Sequence, residues 1–551
     1  MSDTEAVSPR QLAPIATFPL APSLPHSLVR PDICRGNVHW RENMGLRGRI
    51  GLLFPQPRYA PRLRPSHHHW SPSLTPYPYT ELLLPASTGP EFDPLHPDGG
   101  DPQTTDVNAQ YAGYEHNYTY LVFCAFIVWL IIPGIGLLYG GLARRKSALA
   151  LLFQSLMVAA VTTFQWMFWG YSLAYSRTAG PFIGDLANFG MKNVVVAPSI
   201  GNPAIPEIVF CLYQLLFCAC TVQIVVGGAF ERGRIIPSLV FGFLWATVVY
   251  CPIACWTWNP SGWLFNLPAL DFAGGGPVHI ASGWSALAYA FVLGKRKVKG
   301  DRHHAKPHNT TLVFLGTVFI WFGWFGFNGG SALNSSLRSM YAAFNTNAAA
   351  STGAIGWVMV DYIRHKGRFS VVGACEGAIA GLVGITPAAG YVSVWLAAVI
   401  GFLTAVVCGM MGSFLTGVFA TSAVSTLDGA TIASGGIDGN GRQIGLQFAE
   451  IAAISSYAFV VSCLLLLIMK YIPGLHLRVS DEAEEKGLDL DQFFDEQIGD
   501  WSIYSEIEKK RYQDAAETII GAHEHGARSS TSERAVEMKV ASAVQAPVKS
   551  D

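Results

Sequence analysis

The chain has 551 residues, half of them hydrophobic and only 14% charged, with a formal net charge of −1 and a mean hydropathy of +0.31. Soluble domains carry about 25% charged residues, so an ordinary soluble domain is excluded, and the absence of a basic stripe interleaved with aromatics excludes nucleic acid as a partner. Every cysteine except Cys34 sits in or beside an apolar stretch, and none forms a CxxC pair with zinc spacing. They read as small packing residues, with no metal or cofactor expected.

Residues 1–105 are rich in Pro, Arg, Ser and His, contain no lysine and show no sustained periodicity. Such a composition cannot bury enough apolar surface to offset the entropy of ordering, and it lacks the continuous apolar core of a signal peptide. The segment is read as a disordered or spurious N-terminal extension, and its run His67-His68-His69 as a polar tract rather than a metal site. Residues 106–472 are read as a membrane domain. From Tyr118 onward, apolar stretches of about 17–25 residues recur, each long enough to cross about 30 Å of hydrocarbon. Spans are predicted at 118–139, 149–175, 208–229, 236–256, 278–294, 310–333, 341–363, 371–389 and 448–470, with an apolar stretch at 392–424. The fold class is therefore an all-α polytopic membrane protein in a lipid bilayer. Basic clusters follow the odd-numbered spans: Arg144-Arg145-Lys146, Arg232 and Arg234, Lys295 to Arg302, and Arg364 to Arg368. By the positive-inside rule the N-terminus is outside and the C-terminus cytoplasmic.

The stretch 392–424 resists that rule. It starts outside, and the following loop, with Asp428, Asp438 and a single Arg442, also belongs outside. An even number of crossings is required, yet two need about 40 residues. After Ile472-Pro473-Gly474 the chain turns polar and acidic, so 473–551 is read as a cytoplasmic regulatory tail.

Within the membrane domain, Asp271 and His279 bracket Phe-Ala-Gly-Gly-Gly-Pro-Val at the start of the fifth span. Ionisable groups at bilayer depth usually face a bundle interior or a conduction path. Asp271 can cap the helix, and a satisfied core histidine beside a capping aspartate remains open on these residues alone. Trp258 ends the fourth span, where a tryptophan face can attract a small cation or simply belong to the interfacial aromatic belt. Phe327 and Ser331 lie four apart on one helix face, and the third span supplies Gln214 and Phe217; packing of aromatic against small residues is the alternative for both. Glu376, in the eighth span, is expected to cap or pair near its cytoplasmic end with Arg364, Lys366 or Arg368. Asn117 and Asn334 head glycosylation sequons close to the membrane.

Several long motifs in one order resemble the Amt/Mep/Rh ammonium transporters, most closely the fungal Mep-type permeases. They are Pro133 to Gly141, Gly227 to Arg232, Asp271 to His279, Trp321 to Ser331 and Ala380 to Pro387. The resemblance implies a homotrimer of eleven-helix protomers, two inverted five-helix halves plus a final helix, each protomer with its own pore. It implies a plasma-membrane protein that takes up ammonium and methylammonium and is not an enzyme. It further implies substrate recruitment by Trp258 and Ser331, a gate of Phe217 and Phe327, His279 as the first of two pore histidines, and an orienting, electrostatic role for Asp271. A four-donor cation needs π faces and an acceptor hydroxyl, and an apolar lumen beyond them penalises its charged form.

One departure stands out. The family's tenth helix begins with an acidic motif and carries the second pore histidine, whereas here Cys408-Gly409-Met410-Met411-Gly412 joins the ninth span directly to what resembles the tail of the tenth. No histidine occurs between His365 and His476. The tenth span is truncated, at the same place as the topology conflict. The alternatives to transport are an ammonium sensor signalling through its tail and a non-conducting protomer.

Overall fold

The structure, a computed structural model, describes residues 89–99, 110–297, 307–407 and 410–494, all within one compact unit. The described residues are helical, with two isolated β-bridges and no strand. Eleven helices carry the membrane domain. They are α1 (Glu115–Leu142), α2 (Arg145–Tyr175), α3 (Glu207–Ala229) and α4 (Ile235–Asn266), then α5 (Ala281–Leu293), α6 (Thr310–Gly330), α7 (Leu337–Arg364), α8 (Val371–Ile385), α9 (Val394–Val407), α10 (Met411–Phe419) and α11 (Arg442–Tyr471). Six of them (α1–α4, α6 and α11) are long and apolar enough to cross a membrane.

Local sequence explains their irregularities. Pro133 has no N–H to offer Trp129, and α1 breaks its regular pattern at Leu130, one turn before it. Helix α7 is rich in Ala, Ser, Thr, Asn and Gly, and its small residues let neighbours approach backbone to backbone. A Cβ on Gly353 would meet the Gly377 carbonyl of α8 at 2.4 Å, and one on Gly401 of α9 would meet the Ala349 carbonyl at 2.2 Å. Helices α1 and α6 meet the same way: a Cβ on Gly316 would lie 2.5 Å from the Leu138 nitrogen.

The stretch 392–424 folds as a re-entrant hairpin. The Thr421 N–H donates to the Tyr391 carbonyl at 2.8 Å, so both ends of the stretch lie at the same end of the bundle. Thr404 of α9 and Gly412 of α10 both pack on Gly384 of α8. Both helices thus pack on the same residue of α8; Cys408 and Gly409, between them, lie outside the described residues. At 1.5 Å per residue α10, with nine residues, is about 14 Å long, roughly half a crossing. A hairpin that enters and leaves by one end meets the charge pattern's demand for an even number of crossings by making none.

At the opposite end the start of the tail folds back on the bundle. Val479 N–H donates to the Arg232 carbonyl at 3.1 Å and Arg234 N–H to the Leu477 carbonyl at 3.0 Å. Arg478 pairs with Glu484 at 2.6 Å and donates to the Leu293 carbonyl at 2.7 Å. Asp489 accepts from the Ala150 N–H at 2.8 Å and the Leu149 N–H at 3.1 Å. Buried Glu231 pairs with Arg144 and Arg296 beside them. Residues 495–551 lie outside the described residues, as do 1–88 and 100–109 of the N-terminal stretch. Residues 89–99, read from composition as part of a segment without a core, lie against 196–204: the Asp98 carbonyl accepts from both Val196 and Ala197 N–H at 3.1 Å, and the Arg177 guanidinium lies 4.0 Å over the Phe92 ring.

Candidate functional site: an aromatic cavity closed by a phenylalanine stack

Where α3, α4 and α6 meet the connection before α5, a cavity of about 190 Å³ opens at the end of the bundle opposite the tail. Trp258, Ser331, Gln214, Phe217 and Asp271 line it. Phe217 and Phe327 close its base, their rings stacked with centroids 3.9 Å apart and planes at 15°. Trp258 stands edge-on to Phe217 at 6.0 Å. Its indole N–H donates to the Asp271 carbonyl at 3.3 Å, which leaves the indole face free to line the cavity. Ser331 donates to the Phe327 carbonyl at 2.8 Å; as a helix-terminal hydroxyl its remaining lone pair can accept from a ligand. The Gln214 side-chain carbonyl is buried without a hydrogen-bond partner.

The connection before α5 explains how an acid is tolerated here. Asp271 accepts three backbone N–H groups: Gly274 at 2.8 Å and Gly275 at 2.6 Å on Oδ1, and Gly276 at 2.7 Å on Oδ2. These are the orphan donors of a helix start, and a carboxylate satisfies them best. Gly274 adopts φ +106°, a conformation side chains disfavour, and a Cβ there would press within 3.1 Å of Trp258. The first turn, Gly275–Ile280, is wound as a π-helix and delivers His279 beneath the phenylalanine stack. The His279 ring lies parallel to Trp324, with centroids 5.3 Å apart and planes at 13°, and 6.3 Å from Phe327. Its Nε2 is buried without a partner.

The six residues singled out in the sequence are brought together from α3, α4, α6 and the start of α5. Others went unread. Trp324 is fixed by its N–H to Thr386 at 3.0 Å, and its place three residues before Phe327 was the available signal. Tyr213 donates to the Phe327 carbonyl at 2.6 Å and so helps fix Phe327 in the stack. In the cavity wall Arg338 pairs with Asp428 at 3.0 Å, both buried, under the Phe272 and Tyr391 rings at 5.1 and 5.2 Å. A buried acid on α11, Glu450, sits behind Asp271; its position inside a predicted span was the overlooked sign.

One expectation, for Glu376, needs correction. Glu376 forms no ion pair with Arg364, Lys366 or Arg368 among the described residues. Both sequon asparagines are engaged: Asn117 is buried and accepts from the Ser335 N–H at 3.0 Å, and Asn334 donates to Asp428 at 3.3 Å. In place of a second histidine, α10 brings Ser413 against Gly275, 2.8 Å from where a Cβ would stand.

Comparison with known proteins agrees with this geometry. The profile of the Ammonium Transporter Family matches residues 119–410 and 406–498, two pieces that meet at the α9–α10 junction. Ammonium transporter 1 of Schizosaccharomyces pombe is 46% identical over 418 residues, 71% of this chain and 83% of the relative. Ammonium transporter MEP2 of Saccharomyces cerevisiae is 45% identical over 427 residues, 72% and 85% of the two chains. The crystal structure of Candida albicans Mep2 superposes with a TM-score of 0.67 at 45% identity, covering 70% of this chain and 90% of that one. The chain belongs to the ammonium transporter family.

Proposed function

We propose that this protein moves ammonium, and methylammonium in its place, across the plasma membrane for nitrogen nutrition, as a transporter and not an enzyme. The observation that supports this most directly is the closed aromatic cavity over the Phe217–Phe327 stack. Trp258 offers a π face to a cation, and Ser331 and the unpartnered Gln214 carbonyl offer acceptors to its N–H groups. Asp271, whose carboxyl oxygens accept three backbone N–H groups, places an acid beside the cavity. Below the stack an apolar lumen disfavours the charged form, and His279 is the first polar group that a deprotonated substrate meets. The protomers assemble as a homotrimer, each with its own pore, with the N-terminus outside and the tail in the cytoplasm.

A second reading has its own observation. The α9–α10 hairpin stops short of a crossing and carries no histidine, so the lower half of the path lacks the wall and relay that the upper half has. In this reading the chain folds, takes its place in trimers and conducts poorly. Methylammonium uptake in cells without other ammonium transporters separates the two: uptake that saturates and is lost on His279→Ala supports conduction, whereas background uptake at full surface level supports the second. A tail-signalling sensor predicts an ammonium response that survives without uptake.

A further inference from the structure

Asp271 is not alone behind the cavity. Glu450, fully buried on α11, reaches the same loop, and its carboxyl group is within hydrogen-bonding reach of the Asp271 carboxyl. Both flank Gly276: a Cβ built there would lie 2.6 Å from Glu450 Oε1 and 3.3 Å from Asp271 Oδ2. The close approach of the two acids is possible because residue 276 has no side chain. Glu450 Oε2 accepts from the Gln447 amide at 2.9 Å. Glu450 Oε1 has no donor at all, although it is shut away from solvent.

Two carboxylates cannot both ionise at this separation in a dry site. Among the described residues neither has an ion-pair partner: Arg338, in the same cavity wall as Asp271, is engaged by Asp428, and Gln447 is neutral. The titratable groups facing the pair from neighbouring elements are Tyr391 before α9 and His279 on the turn that follows; α10 contributes none. Asp271 already accepts three N–H groups, which favours its anion. We propose that Glu450 carries a proton and donates it from Oε1 to Asp271, so that the pair holds a single negative charge and Glu450 acts as a positioning residue for the Asp271 loop. The orphaned Oε1 then becomes a donor with a partner, and Asp271 is held from both sides, by the helix start of α5 and by α11. A pH far enough above neutrality to remove the shared proton would set two anions against one another and loosen the start of α5.

The inference rests on geometry behind the cavity and is tested without transport, so it stands or falls separately from the proposed function. The full chain is purified in lipid nanodiscs at neutral pH, and its infrared spectrum is compared with that of Glu450→Gln. The expected result is a protonated-carboxyl C=O band that is lost in Glu450→Gln, shifts when glutamate is labelled with carbon-13, and is unmoved when aspartate is labelled. Glu450→Gln should match the parent in thermal unfolding, because its amide N–H replaces the shared proton, whereas Glu450→Ala should unfold at lower temperature. A difference spectrum without the band, a band that follows aspartate labelling, or a Glu450→Gln protein that fails to fold would each overturn the proposal.

Discussion

The start of α5 and the start of α10 pack against one another, Gly275 beside Ser413, and they are built very differently. At α5 an acid collects three N–H groups, a glycine turns through positive φ, and a histidine emerges one turn later. At α10 the helix begins at Met411 behind Met410, with no side-chain cap, no acid and no histidine. A helix that starts in the middle of an apolar bundle leaves up to four N–H groups to be satisfied, each costing several kcal/mol in lipid when it is not. The α5 start meets that cost with Asp271, which accepts three of those N–H groups. The α10 start has no such residue, and the chain makes a shallow hairpin in place of a crossing. What makes a discontinuous helix useful in a transporter is thus less the break itself than the charged cap that stabilises it.

The comparison is broken or sharpened first at the junction. Inserting about 25 residues between Cys408 and Gly412, enough to complete a crossing, with an acid at the helix start and a histidine further along the same helix, should raise methylammonium uptake strongly. Leaving a polar solute without partners in an apolar lumen costs about 2–7 kcal/mol, and each 1.4 kcal/mol of barrier is about tenfold in rate. A rise of at least about tenfold at matched surface level is expected. Equal uptake by the two forms would mean that the hairpin is no impediment and that the contrast with α5 has no functional weight.

Next in size is Asp271→Ala. It strips the acceptor from three N–H groups, where hydrogen bonds to a charged partner are worth about 1.5–3 kcal/mol each; a net loss of about 3–5 kcal/mol follows, as for other buried charged networks. Thermal unfolding of the junction-restored protein in detergent measures it, and ammonium-dependent growth should fail with it. A loss below about 1 kcal/mol, with growth intact at low ammonium, would show that the start of α5 is held by something else.

Much of this was legible in the sequence, and the reason is physical. Span lengths follow from the hydrocarbon thickness, and the basic clusters after alternate spans gave the even-crossing requirement at 392–424 that the hairpin meets. Asp271 with its three glycines advertised a cap, because an acid satisfies the free N–H groups of a helix start. What stayed hidden depended on contacts between distant elements. Tyr213 steadies Phe327 across more than a hundred residues, and Arg338 meets Asp428 only once α7 and the loop after α10 are packed. Glu450 was a simpler miss, an acid in the first turn of a predicted span, far in the sequence from Asp271. The hairpin itself was not foreseen, because apolar residues read alike whether the chain crosses or turns back.

Two glycines compare the seating of the regions directly. A Cβ on Gly412 would meet the Gly384 carbonyl of α8 at 2.4 Å, backbone that cannot yield, whereas one on Gly276 would meet the ends of Ile454 and Glu450 at 2.4 and 2.6 Å. Overpacking of this kind costs about 1–3 kcal/mol. Gly412→Ala should fall at the upper end of that range and Gly276→Ala at the lower, read from the two unfolding temperatures. A neutral Gly412→Ala would unseat the hairpin from α8.

The smallest expected effect lies at the far end of the bundle, at a third helix start. Asp489 of the tail caps α2 through Leu149 and Ala150, doing from a distance what Asp271 does locally. Burial raises its carboxyl above the usual carboxylate range, and the two N–H groups pull it only part of the way back. A raised value in the docked state means that docking binds the proton more tightly than the free tail does. Docking is therefore strongest in acid and weakens as pH rises through the carboxylate range, reaching its limit near neutrality. Asp489→Asn, which stays neutral and keeps one acceptor oxygen, should hold the tail at neutral pH at least as well as the parent. Asp489→Ala removes the cap, worth about 1 kcal/mol, and should open the tail about fivefold more often. Hydrogen exchange of residues 478–492 reads both variants. Equal exchange in parent and Asp489→Ala would mean that the Arg478–Glu484 pair and the backbone bonds to Arg232 and Arg234 hold the tail without the cap, leaving α5 as the start where a distant or local acid decides whether the helix forms.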